Sequence, residues 1–292
     1  MELLAQQILA GVSTGGIYAC MALSLVLIHQ ATRLLNFAQG EMATFSTFVA
    51  WQLMNWGLGY WAAFLTTLAL SFVAGVLLER IVLSPLHGAS ALRRVAVLIA
   101  LFVSLHGVAG SLWGFEVKPF PTPFGTRPLL GSGLISAHAG GMMAVTALLL
   151  VAIHLFFRRT HVGLAMRAAA AHPDAARLAG IDVRGMTALG WGMATAIGAV
   201  AGMLIAPILF LEPNMMLGVL LYSFGGAVVG GLASPGGAVV GGFAVGIVEN
   251  LAGTFVPHVG RELKLTIALA LVVLVLAVRS RGALRRRAVA VD

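Results

Sequence analysis

Long apolar runs separated by short polar clusters make up almost the whole chain. A membrane-spanning helix needs about 20 mostly apolar residues rising 1.5 Å each. Runs that meet or approach this length lie at 8–29, 41–56, 60–83, 95–114, 138–157, 186–211, 217–233, 237–256 and 263–279. They predict an all-α, polytopic helical bundle of eight or nine transmembrane helices, forming one transmembrane domain over residues 1–292. The second and seventh runs are short or glycine-broken, and eight spans result if one of them is re-entrant. The longest water-compatible stretch, residues 158–185, carries five arginines against Asp174 and Asp182. It either anchors the topology or presents a working surface.

Lysine and arginine collect on the cytoplasmic side of membrane proteins. Placing Arg33, Arg93, Arg94, the 158–185 segment and the tail 279–292 on one side collects 13 of the 18 basic residues. The opposite loops hold Lys118, Arg127, Arg261 and Lys264. This predicts the N-terminus outside and the C-terminus inside, with 158–185 a cytoplasmic loop and 279–292 a basic cytoplasmic tail. The outer stretch FEVKPFPTPFGTRPLLGSG is rich in proline and glycine, which favours extended backbone.

Within 158–185, an alanine-rich first helix can end before Pro173, because proline disfavours helix in the residue ahead of it. Pro173 suits the first turn of a second short helix, which Gly180 can terminate.

Spanning helices associate through close backbone contact, which small residues four apart permit. Such spacing occurs at Gly190, Ala194, Gly198 and Gly202, at Gly11, Gly15 and Ala19, and at Ala238, Gly242, Gly246 and Asn250. The heptapeptide GGAVVGG occurs twice, at 225–231 and 236–242, with LASP between the copies. Glycine and Pro235 predict a backbone break there, either lining a pathway or forming a short turn between two ordinary helices.

Polar groups inside spans are costly and face a bundle interior or a cavity. Asn36, Gln39 and Glu41 open the second run, and Glu249 and Asn250 lie late in the eighth. His106 stands alone in the fourth run, with no carboxylate at helical spacing, and is expected to be a structural histidine.

Composition narrows the classes. The chain is 60% hydrophobic and 10% charged, with a mean hydropathy of +0.99, which fits a membrane protein and not a soluble domain. The net charge of +8 sits in short clusters between apolar runs, so it orients the chain and does not suggest nucleic acid. The lone Cys20 excludes an intrachain disulfide and a cysteine metal cluster. Neither lysine follows a glycine, so there is no phosphate-binding loop, and HExxH is absent.

The segment GGIYACMALSLVLIHQATRLLNFAQGEMATFSTFVAW resembles the opening of the permeases of branched-chain amino-acid ABC transporters. There a glycine- and alanine-rich helix precedes N-F-A-x-G-E, here Asn36, Phe37, Ala38, Gln39, Gly40 and Glu41. The family's loop pattern is matched by Arg167, Ala168, Asp174, Leu178, Gly180 and Ile181, with Arg177 nearby. Its later G-G-x-G-S-x-x-G-A-x-x-G-G is matched by Gly230, Gly231, Ser234, Gly237, Ala238, Gly241 and Gly242. Ala233 stands where glycine is usual, and His172 and Pro173 replace a more acidic run.

The resemblance covers almost the whole chain and implies a multi-pass permease of the bacterial inner membrane rather than an enzyme. Implied partners are a second permease, homologous or identical, two ABC ATPase subunits and an extracytoplasmic substrate-binding protein. ATP and Mg would be bound by the ATPases, with no cofactor or metal in this chain. The loop would dock on the ATPase through Arg167, Asp174, Arg177, Leu178, Gly180 and Ile181. Asn36, Gln39, Glu41, Glu249 and Asn250 are candidates for the translocation pathway. The expected cargo is a branched-chain or related small amino acid. Urea or short-chain amides, an ion-coupled transporter acting alone, and a structural scaffold remain as alternatives.

Overall fold

The computed structural model describes residues 2–255 apart from 87, 126 and 130–134, together with 266, 270 and 273. Ten α-helices follow one another among these residues. α1 spans Glu2–Thr32, α2 Gln39–Asn55, α3 Tyr60–Leu78 and α4 Ala91–Trp113. α3 runs on through a π-turn at Glu79–Leu83 and a 3-10 turn at Ser84–Leu86, ending where Pro85 removes a backbone donor. α5 spans Ala137–Arg159, α6 His161–Ala171, α7 Pro173–Leu178, α8 Val183–Leu209, α9 Met215–Gly230 and α10 Pro235–Phe255. Side-chain oxygens of Ser90, Ser136, Thr160 and Asp182 cap the starts of α4, α5, α6 and α8, accepting a backbone N–H that has no helical partner.

Among the described residues, six helices are long and apolar enough to cross a membrane: α1, extended α3, α4, α5, α8 and α10. The chain is a multi-pass, all-α membrane protein. The two short runs behave differently from these. α9 is apolar but has only 16 residues. α2 has 17, and buries Gln39, Glu41, Thr44, Ser46 and Thr47, so it lacks both the length and the apolarity of a lipid-facing span. The ninth run, apart from three isolated positions, and the basic tail lie outside the described residues.

α1 and α8 form the centre: 89% and 78% of their most apolar stretches are buried, against 17% for α4 and α5. α1 packs on α5, α8, α9 and α10, and α2 lies among α3, α4, α8 and α9. The small-residue stripes are the contact lines. On α10, Gly242 and Gly246 lie so near Ala19 and Gly15 of α1 that a Cβ would meet backbone atoms. One turn round the same helix, Gly237 and Gly241 meet Gly230 and Gly226 of α9 in the same way. α10 is thus held between two neighbours through backbone on both faces. On α8, Gly198 and Gly202 receive α2, facing Gln39 and Thr47.

The proline-rich stretch is extended, as its composition predicts. Lys118 and Leu211 exchange two backbone hydrogen bonds of 2.9 Å, pinning the loop to the end of α8. The Lys118 ammonium lies 5.4 Å from the Trp51 ring centre. A two-residue antiparallel pair, β1 Pro128–Leu129 and β2 Ile135–Ser136, precedes α5. His138 joins this layer to the core: its Nε2 donates to the Leu204 carbonyl at 3.1 Å, so Nδ1 accepts from the Thr122 hydroxyl at 2.8 Å.

Candidate functional site

The five polar residues singled out in the spans fall into separate interhelical contacts. Asn36 Oδ1 accepts the Ala38 N–H at 3.1 Å, and its amide faces Gln39 Oε1 at 3.4 Å. Gln39 Nε2 donates to the Ala194 carbonyl at 2.8 Å, through the gap left by Gly198. These two residues fix the start of α2 on α8. Glu41, 4% exposed, points the other way, toward α4, where its Oε2 is 3.4 Å from His106 Nδ1. No carboxylate stands at helical spacing from His106, and the one that faces it comes from a different helix.

Glu249 and Asn250 belong to the α1–α10 contact. The Tyr18 hydroxyl donates to Glu249 Oε2 at 2.7 Å, and Tyr18 stacks on Tyr222 of α9 with ring centres 5.1 Å apart. Asn250 Nδ2 donates to Thr14 Oγ1 and to the Gly246 carbonyl, both at 2.9 Å. Interhelical polar bonds in membranes are worth about 0.6–2 kcal/mol each. Tyr18→Phe removes one such donor, and its expected result is a measurable fall in the apparent Tm of the purified chain in detergent. Asn250→Ala gives a fall of similar size. An unchanged Tm in both variants contradicts this role.

The 158–185 segment has the predicted two short helices and their corner. α6 ends at Ala171, and Pro173 is the first residue of α7. Gly180 has φ of +80°, a left-handed conformation that glycine adopts without a Cβ penalty. Its N–H reaches the Arg177 carbonyl and the Ile181 N–H the Ala176 carbonyl, both at 3.0 Å, a Schellman cap. Asp174 and Arg177 form a local pair at 2.9 Å, fully outside the bundle. Leu178, at the tip of α7, is 91% exposed. Arg167 separates from this group: it lines a cavity between α6 and the bundle.

The glycine-rich break is a turn between α9 and α10. Gly231 takes φ of +99°, and Ser234 caps α10 by accepting the Gly237 N–H at 3.0 Å. Gly230, Gly237 and Gly241 hold the two helices together, and Gly242 seats α10 on α1. The turn is tied to the end of α1, where Gln30 Nε2 donates to the Ala233 carbonyl at 2.9 Å. Beside it Arg33 Nη2 donates to the Ala170 carbonyl of α6 at 3.4 Å. Three segments distant in sequence, α6, the glycine turn and the end of α1, therefore meet around one cavity of about 490 Å³. Nothing in the residue pattern announces this meeting, because its members share no helix. A second cavity of about 460 Å³ is apolar and lies between α3, α5 and α8.

Residues 11–15, GVSTG, spell the G-x-S-x-G of a nucleophile elbow. They lie inside uninterrupted α1, where Ser13 Oγ donates to the Ala139 carbonyl at 3.3 Å, so the strand-to-helix turn that such a nucleophile needs is missing. Among the described residues no group of three or more His, Cys, Asp or Glu could hold a metal ion.

Residues 7–277 match the family model described as branched-chain amino acid transport system / permease component. The chain is 28% identical to the high-affinity branched-chain amino acid transport system permease protein LivH of Salmonella typhimurium, over 96% of this chain and 95% of that protein. The LivH protein of Escherichia coli gives the same identity and coverage. The permease protein BraD of Pseudomonas aeruginosa is likewise 28% identical over 96% of this chain and 95% of its own. No solved structure matches. The family model covers nearly the whole bundle, the glycine-locked α1, α9 and α10 included, and the chain belongs to the branched-chain amino acid transport permease family.

Proposed function

We propose that the chain is the membrane permease subunit of an ABC importer for branched-chain or related small amino acids. In this reading it sits in a bacterial inner membrane with its N-terminus outside and C-terminus inside, and pairs with a second permease to form the pathway. Two ABC ATPases bind ATP and Mg, and an extracytoplasmic binding protein delivers the cargo. The observation that carries the proposal is the α6–α7 corner. It is a capped, well-defined unit that projects Leu178, 91% exposed, with the Asp174–Arg177 pair beside it. An exposed leucine at the tip of a pre-formed helix suits burial in a partner's groove at little ordering cost. Arg167 acts in this scheme from the rear of α6, toward the bundle.

Of the polar residues, Glu41 and His106 are those we place beside the pathway, because the His106 side chain keeps 27% of its surface open. Asn36, Gln39, Glu249 and Asn250 join helices. The test is uptake of labelled leucine by proteoliposomes containing this chain with its second permease, ATPases and binding protein. Uptake is expected only with internal ATP and the binding protein present. Uptake by this chain alone, driven by a proton or sodium gradient, overturns the proposal. Uptake of urea or an amide in place of leucine keeps the importer and changes its cargo.

A further inference from the structure

The cavity of about 490 Å³ at the end of α1 has a chemistry that the import function does not use. At one end stand Gln30, Arg33, Arg167 and His154. The other end is walled by Leu23, Leu150, Ile153 and Val239. Leu23 and Gln30 are two turns apart on α1, about 10 Å at 1.5 Å per residue, so the lining passes from cationic to apolar along the helix axis. Among the described residues, no Asp or Glu lines the cavity. The side chain of Arg33 donates to a backbone carbonyl, at 3.4 Å, and not to a carboxylate.

Two guanidinium groups without a counter-charge, at the mouth of an apolar slot, select an anion with a long apolar part. A zwitterionic amino acid fits poorly, since its ammonium group meets no carboxylate. From these observations we infer that the cavity holds one anionic phospholipid, its phosphate on Arg33 and Arg167 and an acyl chain along Leu23, Leu150, Ile153 and Val239. The bound lipid then bridges α6 to α1 and the glycine turn, filling the space across which any push on α6 must travel. This site depends on the membrane setting alone and not on the cargo or the ATPase.

The test uses the full chain, exchanged into neutral phosphatidylcholine nanodiscs doped with phosphatidylglycerol, and counts lipids retained after detergent extraction by native mass spectrometry. One phosphatidylglycerol per chain is expected to be retained in preference to phosphatidylcholine. Arg33→Gln with Arg167→Gln lowers that retention about tenfold, Arg33→Lys with Arg167→Lys restores it in part, and Ile153→Trp lowers it with both arginines present. Retention that ignores headgroup charge, or survives both the double Gln variant and Ile153→Trp, overturns the inference. Displacement of the lipid by millimolar inorganic phosphate overturns it in favour of a plain anion site, and displacement by leucine in favour of a cargo vestibule. Apparent Tm of each variant separates loss of binding from loss of fold.

Discussion

Gly241→Val is expected to abolish recovery of folded protein from membranes. A Cβ at position 241 overlaps the carbonyl of Gly226 and crowds the Gly230 amide, so the clash is with backbone of α9 and no rotamer change relieves it. Overpacking against side chains that can shift costs about 1–3 kcal/mol, and here the helix itself must move. Moving α10 away from α9 also drives it against α1, where Gly242 and Gly246 leave no slack. The measurement is the yield of monodisperse protein after size-exclusion chromatography. Gly218→Ala and Gly236→Ala are the matched controls, since nothing lies within 4 Å of a Cβ at either position. Both retain wild-type yield. Wild-type yield for Gly241→Val as well removes the close packing of α9 on α10 from the account.

Leu178→Asp is expected to lose at least nine-tenths of ATP-dependent uptake while leaving yield and Tm unchanged. Leu178 is 91% exposed, so the bundle loses no packing when it changes. Central anchors of protein interfaces are worth about 2 kcal/mol or more, equivalent to some thirtyfold in affinity. Asp174→Asn and Arg177→Gln each break an exposed local pair, which is worth about 0–1 kcal/mol, and their effects on uptake are correspondingly smaller. Co-purification of the ATPases with each variant distinguishes lost docking from lost transport. Normal uptake and normal co-purification for Leu178→Asp place the ATPase contact elsewhere.

What could be read from the residues was what local chemistry dictates. Pro173 and Gly180 act within a turn of their own positions, and the corner between α6 and α7 appears as predicted. The glycine stripes on the first and eighth runs also name the right surfaces, because i, i+4 spacing fixes the face of a helix. Spacing does not name the partner, and the doubled GGAVVGG fits a broken pathway element as well as the hairpin that is found. Glu41 and His106 lie on different helices, 65 positions apart, so no periodicity connects them. The same holds for Arg33 and Arg167, which line one cavity only because α6 folds back across the end of α1. The resemblance grouped Arg167 with Asp174 and Arg177, whereas the fold sets Arg167 on the lining of the cavity and the other two on α7. α2 misleads hydropathy for a related reason: Gln39, Ser46 and Thr47 are satisfied by α8, α3 and carbonyls of α2 itself, as when Ser46 and Ser71 meet at 2.8 Å.

The sandwich of α9, α10 and α1 has a mechanical meaning. Helices separated by side chains can slide, because rotamers yield and re-settle as the axes shift. Where backbone meets backbone, as at Gly226–Gly241 and Gly15–Gly246, there is no such cushion. These three helices therefore behave as a single stiff plate, and any stroke that opens this protein to one side of the membrane must turn that plate as a whole about the side-chain seams it shares with α5, α6 and α8.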